Sequence, residues 1–324
     1  MKAEKTLYVV VPCYKEEEVL PETAKRLKEK LTALIAQGKI SPRSRILFVN
    51  DGSKDRTWPI IEELHARDRI FSGVNLSRNR GHQNALLAGL MTAVQHADLM
   101  VSMDADLQDD IDAMDKMIDA YHEGYDVVYG VRASRKTDSF FKRFTAESFY
   151  KLMKAMGVDI VFNHADYRLM SRRAVEGLAD FKEVNLFLRG IVPQIGYAWT
   201  TVEYDRAKRF AGESKYPLKK MLSFAFDGIT SFSVKPMRLI LVLGAVIFVL
   251  SLLMLLWALV EWVSGKTVSG WASLICSIWM IGGIQLLALG VIGEYIGKVY
   301  SETKARPRYI IERVLNDADN DENR

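Results

Sequence analysis

The sequence predicts a doubly wound α/β head followed by two membrane-spanning helices, and three observations carry that expectation. Charge is concentrated before residue 236 and after residue 293, and the segment between is almost uncharged. From residue 6 to about 130, short β-branched runs alternate with longer amphipathic ones, the pattern of strands joined by helices. Polar clusters follow four of those strands in turn.

Leu7–Val11 is the first expected strand and Val19–Ala36 the first helix, its apolar residues returning at helical spacing. Ile46–Val49 is a strand, Trp58–Ala66 a helix, and Gly73–Leu76 extended. Asn84–Gln95 is helical, Leu99–Met103 a strand, Ile111–His122 a helix and Val127–Tyr129 a strand. Such spacing predicts a parallel sheet, in which ligands bind at the carboxyl ends of the strands. The loops there are Pro12-Cys13-Tyr14, Asn50-Asp51-Gly52-Ser53, Ser77-Arg78-Asn79-Arg80-Gly81 and Asp104-Ala105-Asp106. Four polar loops on one edge mark that edge as the site.

Leu239–Val260 is uncharged, about 33 Å of helix at roughly 1.5 Å per residue. Trp271–Gly293 is a second uncharged stretch, with Gln285 its main polar interruption. Each matches the ~20 residues that cross a hydrocarbon core. Lys235 and Arg238 precede the first, and Lys298, Lys304, Arg306 and Arg308 follow the second. The connector Glu261–Gly270 carries only Glu261 and Lys266. The positive-inside rule therefore places both termini in the cytoplasm, with a small loop outside. The N-terminal MKAEKTLYVVVPCYKEEE lacks the long apolar run of a secretion signal.

Composition narrows the class. Over 324 residues, 49% hydrophobic and 26% charged content excludes a disordered or fibrous chain. Lysine plus arginine (44) exceeds aspartate plus glutamate (40) too slightly to signal nucleic acid. Cys13 and Cys276 stand far apart, which fits neither a disulfide framework nor a zinc site.

No phosphate-binding glycine fingerprint follows the first strand, which disfavours a dinucleotide dehydrogenase or P-loop enzyme. A nucleoside diphosphate bound here would need a metal and cationic side chains instead. Asp104-Ala105-Asp106 offers two carboxylates projecting from one face of an extended chain, suited to Mg2+ or Mn2+.

VVVPCYKEEE, VNDGSKDRT, LSRNRGHQNAL, MDADLQD and NHADYRLMSRRAV, in this order, resemble the family 2 inverting glycosyltransferases. With two C-terminal spans, the chain is similar to the polyprenyl-phosphate branch of that family. The resemblance implies a GT-A-like nucleotide-sugar-binding head over residues 1–215 and an amphipathic interfacial segment over 216–236. A transmembrane hairpin over 237–298 and a cytosolic segment over 299–324 would follow. It implies that Pro12, Tyr14 and Glu16 line the nucleoside pocket, with Asp51 accepting a hydrogen bond from the base and Arg78 nearby. Asp104 and Asp106 would hold the metal on the diphosphate, with Gln108 a further ligand. Asp166 would be the acidic residue beside the acceptor, and Arg209, Ser214 and Lys215 would close over the donor phosphates. His82 and His164 are assigned no role.

Two segments interleave bases with aromatic and apolar residues, as helices on anionic lipid do. One contains Arg132, Arg135, Lys136, Arg143 and Lys151 among Phe140, Phe141, Phe144 and Phe149; the other is Pro217–Val234. Arg132 and Arg135 are the expected ligands of an acceptor lipid phosphate, for which the planar guanidinium fork suits. The resemblance implies a reaction that moves a sugar from a nucleotide sugar, UDP-glucose or a related UDP-hexose, to undecaprenyl phosphate at a bacterial inner membrane. Membrane lipids, further copies of the chain and a flippase are its expected partners. Two other readings are a processive polysaccharide synthase and a non-catalytic membrane scaffold. Gln194-Ile195-Gly196-Tyr197-Ala198-Trp199 lacks the arginine–tryptophan pair of the synthases, and the intact acidic motifs argue against the scaffold.

Overall fold

Every residue of the first strand, β1 (Leu7–Cys13), is buried, and that strand sits at the centre of an eight-stranded sheet. The computed structural model describes residues 4–132, 164–205, 235–264 and 270–316, together with Thr230 and Ser233. The chain divides into a head (residues 1–150, 159–217 and 306–324) and a second unit (151–158 and 218–305).

In the head, α1 (Leu20–Ala36), β2 (Arg45–Asn50), α2 (Thr57–Arg67), β3 (Phe71–Leu76), α3 (His82–Ala93), β4 (Leu99–Ser102), α4 (Ala113–His122) and β5 (Val127–Arg132) follow in order. Then come β6 (His164–Ser171), α5 (Arg172–Ala179), α6 (Leu188–Gln194) and β7 (Trp199–Tyr204). α1 buries Leu20, Ala24, Leu27, Leu31 and Leu34, a face repeating every three or four residues. α3 lies close to the sheet because Gly89 has no side chain: a Cβ there would fall 2.4 Å from Val10 Cγ1 and 2.6 Å from Val49 Cγ2.

The nine elements expected up to residue 129 all form, with ends shifted by a few residues. The sheet, however, is mixed rather than parallel. Its order is β7-β5-β6-β4-β1-β2-β3-β8, where β8 is Ile311–Leu315. β1 pairs in parallel with β2 and β4, β2 with β3, and β5 with β7. β6 inserts antiparallel between β4 and β5, and β8 adds antiparallel to β3. The parallel expectation fails because β6 comes from sequence beyond the alternating region and separates two strands that follow each other in the chain. β8 takes its place at the edge of the sheet from Gly73↔Leu315 to Leu76↔Ile311, pairing with β3 of its own chain.

The second unit holds two long helices, α7 (Lys235–Val263, 29 residues) and α8 (Trp271–Lys304, 34 residues). They contain the two uncharged stretches foreseen from the sequence. Large apolar side chains such as Leu241 (73% exposed) and Leu287 (74%) project outward from them. Among the described residues, Met280–Lys304 is the one stretch long and apolar enough to cross a membrane. The two basic–aromatic segments lie largely outside the described residues.

Candidate active site

Parallel pairing of β1 to β4 brings the four foreseen loops to one edge of the sheet. β6 runs the opposite way, so its first residues arrive at that edge too. Ser102 Oγ donates to the Asp166 carbonyl at 2.6 Å and fixes β4 and β6 at this point.

The Asp104–Asp106 loop is held from below and bent sharply. Thr23 Oγ1, buried in α1, donates to the Ala105 carbonyl at 2.8 Å. The Gln108 amide donates to Asp106 Oδ1 at 3.2 Å, and buried Leu107 between them adopts a φ of 55°. Left-handed backbone at an apolar residue costs about 1–3 kcal/mol and concentrates at functional sites. Burial raises the Asp104 carboxyl above the ordinary range; Asp166 and Asp106 push the same way, and His82 pulls it down.

Asp166 is clamped from several sides. Arg189 in α6 donates through Nε to Oδ1 at 3.1 Å and through Nη2 to Oδ2 at 3.0 Å. Arg168, itself buried, donates through Nη2 to Oδ1 at 3.2 Å. His82 Nε2 stands 3.7 Å from Asp166 Oδ2 and 3.5 Å from Asp104 Oδ1, between the two carboxylates. Burial alone would raise the Asp166 carboxyl, but Arg189 and Arg168 outweigh it and hold the group far below the usual carboxylate range. The neighbouring Gln83 Oε1 accepts the Leu188 amide at 2.8 Å, so the start of α3 also pins the start of α6.

On the other side, Asp51 is buried and both its oxygens take backbone amides, from Arg80 at 2.6 Å and Gly81 at 2.9 Å. Burial raises its carboxyl despite those bonds. A base approaching Asp51 would have to share these oxygens with the loop. Gly52 takes a φ of 62° against the Arg78 backbone. The Lys15 amide donates to Ser53 Oγ and the Glu16 amide to Thr57 Oγ1, both at 3.0 Å, tying the first loop to the second. Tyr14 and Arg78 are exposed on this rim, whereas Pro12 is buried in β1 opposite Val49. Arg132 ends β5 at the same edge, near Tyr204, whose hydroxyl donates to Asp109 Oδ1 at 2.6 Å. Arg135, Arg209, Ser214 and Lys215 lie outside the described residues.

The geometry thus gathers Asp104, Asp106 and Asp166 and adds His82 and Arg189, which the sequence reading left without roles. His82 stood in a quoted motif. Arg189 had one local signal, a lone base inside the apolar run Leu186-Phe187-Leu188-Arg189-Gly190-Ile191. Among the described residues no three or more His, Cys, Asp or Glu side chains gather to hold a metal. Two hard oxygen donors with excess negative charge suit a divalent cation that completes its shell from phosphate and water. Asp104 and Asp106 fit that demand.

The glycosyl transferase family 2 pattern matches residues 8–178, and the pattern of the GtrB C-terminal hairpin matches residues 235–299. The chain belongs to glycosyl transferase family 2. Its head has the GT-A-like α/β fold of these enzymes, with the mixed sheet described above. This glycosyltransferase is 53% identical to the uncharacterized glycosyltransferase YkoT of Bacillus subtilis, over 96% of this chain and 92% of that one. It is 41% identical to the prophage bactoprenol glucosyl transferase homolog of Escherichia coli, over 94% and 98%. Among solved structures, glucosyl-3-phosphoglycerate synthase from Mycobacterium tuberculosis is similar at a TM-score of 0.45 and 18% identity, covering 71% of this chain and 79% of that one.

Proposed function

We propose that this glycosyltransferase moves glucose, or a closely related hexose, from its UDP-sugar to undecaprenyl phosphate with inversion. The observation that carries this is the joining, in one chain, of a family 2 head to a GtrB C-terminal hairpin. Near-full-length similarity to proteins named bactoprenol glucosyl transferases supports the acceptor and the sugar. A divalent ion at Asp104 and Asp106, with Gln108 beside them, would supply charge neutralisation for the departing diphosphate.

An acceptor phosphate monoester has a second pKa near 6, so at cytosolic pH it is mostly dianionic and already nucleophilic. Its oxygen attacks the anomeric carbon from the face opposite the diphosphate. The carbon–oxygen bond to UDP breaks as the new one forms, and UDP leaves with the electron pair. An α-linked donor then gives a β-linked lipid. Asp166, ionised and held by two guanidinium groups, is a weak base, which favours an orienting role over proton abstraction. Tyr14, Glu16, Asp51 and Arg78 are assigned to the nucleoside side, and Arg209, Ser214 and Lys215 to the donor phosphates. Arg132 and Arg135 are assigned to the lipid phosphate.

α7 and α8 both span the bilayer in this reading, with the head and both termini cytosolic. The outward apolar side chains of the two helices and the basic flanks support it. A product left on the inner leaflet would need a flippase. Mass spectrometry of the lipid formed from undecaprenyl phosphate and a panel of nucleotide sugars tests the proposal. A β-linked glucosyl lipid from UDP-glucose is expected; no lipid product from any donor would overturn it.

A further inference from the structure

We infer that Arg189 is a positioning residue that acts through Asp166, fixing the orientation of that carboxylate at the acceptor side of the site. The inference rests on the transferase reading for its meaning and on three observations for its geometry. The Arg189–Asp166 contact is two-pronged, Nε to one oxygen and Nη2 to the other, at 3.1 and 3.0 Å. A fork of that kind fixes a carboxylate in plane as well as in place. The arginine is itself held: Gln83 Oε1 takes the amide of Leu188, the residue before it, at 2.8 Å. Finally, Arg189 reaches Asp166 from a different element, 23 positions away, while Arg168 does so from the same strand.

The charged and titratable groups facing Asp166 are therefore Arg168 from β6, Arg189 from α6, His82 from α3 and, beyond His82, Asp104. Arg168 is 1% exposed, whereas the Arg189 side chain is 31% exposed. Removing Arg168 would strip a buried cation from the sheet, whereas removing Arg189 loosens the carboxylate at the surface of the site. That difference makes Arg189 the member of the clamp whose work can be separated from folding.

The test is a double-mutant cycle on the full-length protein with Asp166→Asn, Arg189→Gln and the pair, alongside Arg189→Lys. Arg189→Gln is expected to lower kcat by about tenfold or more while the donor KM stays within about twofold. In the Asp166→Asn background the same change should cost less than about twofold further, because its effect runs through a carboxylate already gone. Arg189→Lys should recover part of the loss, since charge returns without the fork; if Arg189→Gln fails to fold, the lysine variant carries the comparison. A second readout needs no turnover: carbodiimide-and-amine labelling of Asp166 at pH about 5, read by peptide mass spectrometry. Labelling should be weak in the parent protein and several-fold stronger without Arg189. Independent, multiplying losses, an equal loss of donor affinity, or unchanged labelling would overturn the inference. A parent protein that makes no glycosyl lipid would refute the transferase reading instead, and the labelling would then decide this one alone.

Discussion

The Thr23 hydroxyl donates to the carbonyl of Ala105 at 2.8 Å, so a buried residue of α1 holds the middle of the Asp104–Asp106 loop. It also contacts the Val19 carbonyl within its own helix at 3.1 Å. Thr23→Val keeps shape and removes the donor. The Ala105 carbonyl then loses this partner, a loss of about 1–3 kcal/mol in a denaturant melt. The two carboxylates should also lose their fixed spacing, so a titration of activity with Mn2+ should shift to higher metal concentration.

Gly52 carries a different constraint. A Cβ there would stand 2.5 Å from the Arg78 carbonyl carbon and 2.6 Å from the Asn79 nitrogen, at a φ of 62°. Gly52→Ala must therefore push apart two backbones on the side proposed for the nucleoside. Stability should fall by about 1 kcal/mol or more, and the donor KM should rise more than kcat falls. An alanine variant with parental KM and melting point would show that the loops yield freely.

Asp106→Asn retains an oxygen to accept the Gln108 amide but loses its charge. Turnover should nearly vanish while the melt stays within about 0.5 kcal/mol of the parent. Chelator should abolish parental activity, and Mg2+ or Mn2+ should restore it. Undiminished activity in excess EDTA would refute the metal assignment.

Away from the site, Asp126 accepts from Ser171 Oγ at 2.8 Å and Arg173 Nε at 2.6 Å. Burial alone would raise this carboxyl, but the bonds from Arg173 and Ser171 outweigh it and hold the group below its usual range. A carboxyl depressed in the folded state adds stability above its unfolded pKa of about 3.9, and that stability is lost as pH falls toward the folded value. The stability gap between the parent and Asp126→Asn should thus be full at neutral pH and narrow below pH about 4. Paired urea melts across that range measure it.

The orientation proposed for α7 and α8 predicts labelling from one side only. In intact cells, a membrane-impermeant thiol reagent should modify Ser264→Cys and leave Ser53→Cys untouched. The reverse pattern would invert the topology.

The parallel half of the head was legible because each of its strands is buried on both faces. β1 reads Leu-Tyr-Val-Val-Val-Pro-Cys and hides every residue, leaving an apolar run bounded by polar loops. β6 was not legible as a strand, because it buries Arg168 between apolar neighbours, opposite Ser102. A buried arginine reads locally as a surface residue, and the Asp166 carboxylate helps to offset the cost of burying its charge. The three acids of the site were legible from motif and order. The His82 bridge and the Arg189 fork depend on where α3 and α6 begin in space, and no local pattern encodes that.

β8 also sets the order in which the molecule can be finished. The ribosome makes β3 long before β8, and the Ser72–Asn316 contact between these edges spans 244 positions. Both long helices are synthesised in between. Until they have emerged, β3 presents an unpaired row of backbone donors and acceptors, the kind of edge that recruits other strands. Completion of the head therefore trails the making of the hairpin. A chain arrested within either helix carries a sheet one strand short, with the outer edge of β3 left open to strands of other chains.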